Sequence, residues 1–159
     1  MLLRVEDPTF FQNKGIDLST PGASMTTLSQ SLGKRIFFDS FEPGFAKLEL
    51  MALTRFALYP RLTKEKVFKA WLATAYLGTH RGRRVTGFAD GARSYFHKPL
   101  SRLSDREYLT LVAMLPAPDR LKPTRDPAAN RDRVARIERL LADRCRPTGL
   151  RDVMLDGCA

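Results

Sequence analysis

Glu6 and Asp7 stand side by side near the start of the chain, immediately before Pro8. Adjacent carboxylates repel each other's charge, which raises the pKa of one or both toward the range where a side chain trades protons with a substrate. A second cluster follows. Ser24, Thr26, Thr27 and Gln30 lead into Lys34 and Arg35. Hydroxyls and free amides at a helix start attract anions, and the macrodipole adds to the pull. Lys34 and Arg35 supply full positive charge to the same segment. The chemistry on offer is proton transfer beside a phosphate-like group. The same residues also read as an acidic turn and an ordinary Ser/Thr-capped amphipathic helix.

The elements that must position these residues are mostly helical. Met25, Leu28, Leu32 and Ile36 recur at three- and four-residue steps and predict a helix over 25–37. Leu48, Met51, Ala52, Arg55 and Phe56 predict a second over 43–58, ended by Pro60. Thr63 caps a third, with Val67, Phe68, Trp71, Leu72 and Ala75 facing inward. A fourth spans 86–95. Ser104 to Glu107 forms a capping box that opens a helix ending before Pro116, so Glu107 reads as a cap and not as a catalyst. Asp126-Pro127 opens the last helix, with Val134, Ile137, Leu140 and Leu141 as its apolar stripe. Ile36-Phe37 and Leu109–Leu115 are expected in one core. No sustained alternation predicts a large sheet; short extended pieces fit only around Arg4–Glu6 or Arg83–Val85.

Composition bounds the answer. A chain of 159 residues with 43% hydrophobic and 28% charged residues forms one domain with a real core. Its 27 Lys and Arg against 17 Asp and Glu give a net charge of +10, which favours an anionic partner: nucleic acid, a membrane surface or a pyrophosphate. No apolar run is long enough to span a bilayer. Cys145 and Cys158 fit either a disulfide that ties down the tail or two free thiols, and with His80 and His97 they lack zinc spacing.

Taken in order, the motifs resemble a known family. Glu6-Asp7-Pro8-Thr9-Phe10 with Gly15 resembles E-D-x-x-F-x-x-H-x-G. Gly22-Ala23-Ser24 through Lys34 resembles G-A-S-T-x-x-Q-Q-x-x-K, with Thr26-Thr27 and Gln30 in register when counted back from Lys34. Tyr95-Phe96-His97-Lys98 and the segment from Glu107 to Pro118 resemble Y-F-x-K and E-A-A-x-L-A-x-L-P-x-x-P. These are the motifs of the peptidoglycan glycosyltransferase domain of class A penicillin-binding proteins and monofunctional transglycosylases. The resemblance covers roughly residues 4–120; the last helix and the cysteine-bearing tail, 127–159, lie beyond it.

The resemblance implies a single, mainly α, lysozyme-like domain that polymerises lipid II and releases undecaprenyl pyrophosphate. It makes Glu6 the base, and Asp7, Ser24, Thr26, Thr27, Gln30, Lys34 and Arg35 the substrate contacts. It implies lipid II, the glycan strand, the membrane surface and other cell-wall synthesis proteins as partners, and the periplasmic face of the bacterial inner membrane as the location, with the anchor absent from this chain. A Mg²⁺ ion is compatible with that chemistry, because it offsets pyrophosphate charge. The chain departs from the pattern at three places. Asn13 replaces the family histidine, the 18–21 segment is short, and Met51 stands where R-K-x-x-E puts a second glutamate. Those departures favour an alternative in which the chain binds lipid-linked precursor or partner proteins without full activity. A lytic enzyme using Glu6 as acid leaves Lys34 and the Ser/Thr-Gln run unexplained. A nucleic-acid module lacks any helix-turn-helix, zinc or aromatic RNA-binding signature.

Overall fold

The computed structural model describes residues 1–17, 20–21, 26–42 and 44–159. Among these residues eight α-helices form the frame: α1 (Leu2–Glu6), α2 (Leu28–Phe37), α3 (Phe45–Ala52), α4 (Lys64–Thr74), α5 (Phe88–Phe96), α6 (Asp105–Met114), α7 (Pro118–Leu121) and α8 (Pro127–Leu141). Among the described residues a single antiparallel hairpin, β1 (Tyr76–His80) and β2 (Arg83–Thr86), supplies all the strand. The expected mainly helical domain is what forms. Caps explain several of the boundaries. Thr27, Thr63 and Asp126 each accept a backbone N–H three residues on, and Ser104 and Glu107 close a full capping box. Glu107 also pairs with Lys98 at 2.7 Å.

Four local expectations need correction. Arg4–Glu6 is helical, because Leu2 and Val5 turn one face of a short helix into the core. The fourth helix begins at Phe88, since Arg83–Thr86 pairs as a strand and the chain reverses through Arg81 and Gly82, both at positive φ. The 43–58 helix is interrupted: α3 passes into a π-helical stretch at Leu53–Leu58. Its buried stripe is Leu50, Thr54 and Leu58, so Leu48 and Phe56 face out. The close approach of α2 selects that stripe, for a Cβ on Gly33 would lie 3.1 Å from Thr54 and 3.2 Å from Leu50. Finally, Leu28 and Leu32 share the core with Leu109–Met114, but Ile36 and Phe37 do not; they are exposed beyond it. Met25 falls outside the described residues.

The core lies between α1, α4, α5, α6, α8 and the hairpin. Leu77, Val85, Phe88, Leu111, Val112, Met114 and Ile137 are sealed from solvent there. Gly87 makes one of its junctions. It sits at φ +85 with its N–H on the Ala75 carbonyl, and a Cβ there would lie 2.5 Å from the Ala73 oxygen. Only glycine fits both the backbone and the space. Tyr95 belongs to this scaffold as well, donating its hydroxyl to the Leu77 carbonyl at 2.7 Å.

The tail after α8 folds back on that helix. Cys145 and Cys158 are bonded, with Cα atoms 5.3 Å apart. Leu155 and Cys158 are buried, and Asp152 organises the loop by accepting the N–H groups of Thr148, Asp156 and Gly157. Arg139 donates to the Cys158 carbonyl at 2.6 Å. The cross-link therefore closes an already well-seated loop, and its main effect is on the unfolded chain. Replacing both cysteines by serine is expected to lower unfolding free energy by about 3 kcal/mol. Denaturant melts of the double variant and the oxidised wild type measure it; equal midpoints would show the bond to be ornamental.

Candidate functional site

Asp7 is the first structural fact of the site. It is buried, and its carboxylate accepts the Leu28 N–H at 2.9 Å, the first amide of α2. The other oxygen accepts the Asn13 side-chain amide at 2.8 Å. Asn13 in turn accepts from Lys64 at 3.0 Å and from the Gly15 N–H at 3.0 Å. Burial pushes the Asp7 carboxyl above its usual range, and the Leu28 and Asn13 hydrogen bonds and the Lys64 charge pull it back. Asp7 is thus a cap that joins α1 to α2. Thr27 completes the cap, accepting the Gln30 N–H and donating to the Gly15 carbonyl at 2.8 Å. At the α2 start the Leu28 and Gln30 amides are thus taken by Asp7 and Thr27.

With Asp7 turned toward α2, its neighbour Glu6 turns into a cleft of about 450 Å³. Thr26, Ser31, Arg35, Trp71, Tyr76 and Pro118 line it with Glu6. Among the described residues Glu6 is the one carboxylate that lines it. Burial raises the Glu6 carboxyl to about 7; the Arg133 guanidinium opposes the rise and the Asp7 charge adds to it. Desolvation outweighs the like-charge effect expected from the sequence. A carboxyl with that pKa is half ionised near neutrality and suits proton transfer.

The cations divide into two groups. Arg35 lines the cleft, held by Ser31 and by Thr74 at 2.9 Å and lying over the Trp71 ring. Lys34 points elsewhere, 4.5 Å above the Phe41 ring. Beside it lies Lys47, which donates to Gln30 at 2.9 Å and to Thr26 at 3.2 Å. Burial lowers the pKa of both lysines, and the Lys34 charge depresses Lys47 further. Gln30 is buried with its amide nitrogen unsatisfied. Ser24 lies outside the described residues. The structure thus gathers Glu6, Thr26 and Arg35 at one cleft and sets Gln30, Lys34 and Lys47 next to it, while Asp7 and Thr27 serve as framework.

Lys47 was missed from the sequence. A signal existed: R-K-x-x-E ends at Met51, and its first position falls on Lys47. Met51 is half-buried on α3. Glu49, Glu42 and Asp39, the acids that precede it most closely in sequence, are exposed and do not line the cleft. A divalent ion finds no ready seat, for among the described residues no three His, Cys, Asp or Glu side chains converge.

A small helical domain with a near-neutral carboxyl facing hydroxyls and a guanidinium is built for acid–base work beside an anion. Comparison with known proteins gives the class. A family model described as Transglycosylase matches residues 18–142, and the chain belongs to that family. It is 28% identical over 155 residues to penicillin-binding protein 1B of Vibrio cholerae, covering 89% of this chain and 20% of that protein. It is 26% identical over 153 residues to penicillin-binding protein 1B of Escherichia coli, covering 88% and 18%. It is 31% identical over 126 residues to the biosynthetic peptidoglycan transglycosylase of Laribacter hongkongensis, covering 71% and 53%. The chain thus spans about a fifth of the penicillin-binding proteins it matches.

The raised carboxyl has a thermodynamic signature. Between the ordinary value of 4.5 and about 7 the folded protein holds the Glu6 proton more tightly than the unfolded chain. Stability therefore falls as pH rises through that window. Glu6→Gln removes the penalty and should stabilise the fold at pH 8 by about 1–3 kcal/mol, with no gain below about pH 4.5. Denaturant melts at several pH values check this; a difference independent of pH would contradict it.

Proposed function

We propose that the chain polymerises lipid II, joining its disaccharide units into glycan and releasing undecaprenyl pyrophosphate. The observation that carries the reading is the shared cleft of Glu6 and Arg35, in a chain of the Transglycosylase family. A sugar 4-hydroxyl is a weak nucleophile near pH 7. Glu6, half ionised there, takes its proton as the new glycosidic bond forms at the anomeric carbon. The leaving pyrophosphate gains negative charge as the old bond breaks. Arg35 from the cleft, with Lys34 and Lys47 beside Thr26, supplies the balancing charge. The lysines' lowered pKa values reflect the burial that strengthens such contacts.

The lipid part needs an apolar seat. Phe45 is 91% exposed, and Leu48, Phe56, Ile36 and Phe37 are also exposed on α2, α3 and the π-helical stretch, which pack together. Exposed aromatics among lysines and arginines suit a bilayer surface. Among the described residues no helix is long and apolar enough to cross a membrane. The disulfide supports a location outside the cytoplasm.

A second reading has its own observation. Among the described residues the cleft holds no second carboxylate, and Met51 can neither take a proton nor ligate Mg²⁺ well. On that reading the chain binds the lipid-linked precursor without extending it.

Incubation with labelled lipid II decides between them. The polymerase reading expects glycan from wild type and none from Glu6→Gln, with binding kept. Binding without glycan in wild type gives the second reading, and neither would overturn both. Arg35→Ala and Lys47→Ala should each weaken lipid II binding by about 1–3 kcal/mol, the range for a lost charge-assisted hydrogen bond. Unchanged binding by both would remove the anion site.

A further inference from the structure

We propose that Arg133 is a positioning residue for Glu6: its buried guanidinium, reaching from α8 toward α1, is the fixed counter-charge of that carboxylate in the cleft wall. The inference rests on Glu6 being the working carboxylate of the proposed reaction.

Arg133 has no other adequate explanation. It sits on the core face of α8 beside Val134 and Ile137 and is 2% exposed. A buried guanidinium carries five N–H donors, and here Nε and Nη1 have no partner. Such a charge is costly unless a field compensates it. Three carboxylates and one cation act on it: Glu6, Asp152, Asp156 and Arg136. The tail uses two of those carboxylates itself. Asp152 accepts the N–H groups of Thr148, Asp156 and Gly157. Asp156 pairs with Arg136, which repels Arg133. Glu6 remains, and it accepts no hydrogen bond from any described residue.

Arg133 and Glu6 are thus opposite charges without a hydrogen bond to each other, carried on α8 and α1, which pack together, and each acts on the other through space. They do not form a direct ion pair. That separation matters. A bonded guanidinium would occupy the oxygens that a sugar hydroxyl must reach. Held back, it acts through space and leaves them open to the cleft. The tail keeps it held back. Leu155 and Cys158 seal the region, Arg136 and Arg139 grip the Met154 and Cys158 carbonyls, and Val153 reaches the cleft itself. The other charges in play around Glu6 are Asp7 on its own helix and Arg35 on α2.

The test reads Glu6 directly, by carbon-13 NMR of its side-chain carboxyl through a pH titration of the intact chain. Arg133→Met and Arg133→Gln should raise the Glu6 midpoint by about one pH unit, and Arg133→Lys should leave it near the wild-type value. Folded neutral variants titrating like wild type would overturn the proposal. A second measurement needs no change at Arg133. In wild type the buried Arg133 Nε resonance should follow the Glu6 midpoint, and in Glu6→Gln that response should vanish. An Nε signal indifferent to Glu6 would equally overturn it. Neither readout uses lipid II, so failure of the polymerase reading is seen separately, as absent glycan with the Arg133 coupling intact.

Discussion

One buried carboxylate ties the molecule's two halves of chemistry together. Asp7 caps the first amide of α2 from the residue that ends α1. A charged acceptor is used here because it meets an orphan N–H and the positive end of the helix dipole at once. Asn13 and Lys64 then hold the carboxylate from the other side. Because Asp7 directly follows the last residue of α1, holding it against α2 also holds the end of α1 that carries Glu6. The cleft, with Glu6 on one wall and the α2 side chains on another, follows from that single contact.

The cap also explains a residue that looked like a defect. Asn13 replaces the family's histidine, yet it bonds Asp7, Gly15 and Lys64 together. A neutral amide, with a donor and an acceptor on one short side chain, serves this bridging role at any pH. Met51 has no comparable compensation, since among the described residues no acid besides Glu6 lines the cleft. The balance around Glu6 is set by burial against Arg133, so the fold carries a destabilised carboxylate and a poorly partnered guanidinium together. Such local strain is typical of sites where reactivity is held in place by the rest of the structure.

Much of this was legible in the residues. The helical class, the caps at Thr63, Ser104 and Asp126, and the nearness of Glu6 to a basic segment rest on local rules that the tertiary structure does not override. What was not legible depends on contacts distant in sequence. The buried face of α3 is chosen by Gly33 on α2, so the apolar pattern alone pointed to the wrong stripe. Asp7 reads as a substrate contact until Leu28 is brought against it from 21 residues away. Arg133 reads as one more basic residue on a polar helix until the tail covers it. The thiol pair stayed undecided because spacing fits both states, and only the folded tail brings the two residues together.

The central claim is that Asp7 holds α1 and α2 as one unit and so places Glu6. Amide hydrogen exchange on wild type and Asp7→Ala measures it most directly. The account predicts that the Leu28 amide and the α1 amides lose protection together, while α5 and α6 keep theirs. A Leu28 amide still protected in the variant, or a loss that leaves α1 untouched, would contradict it.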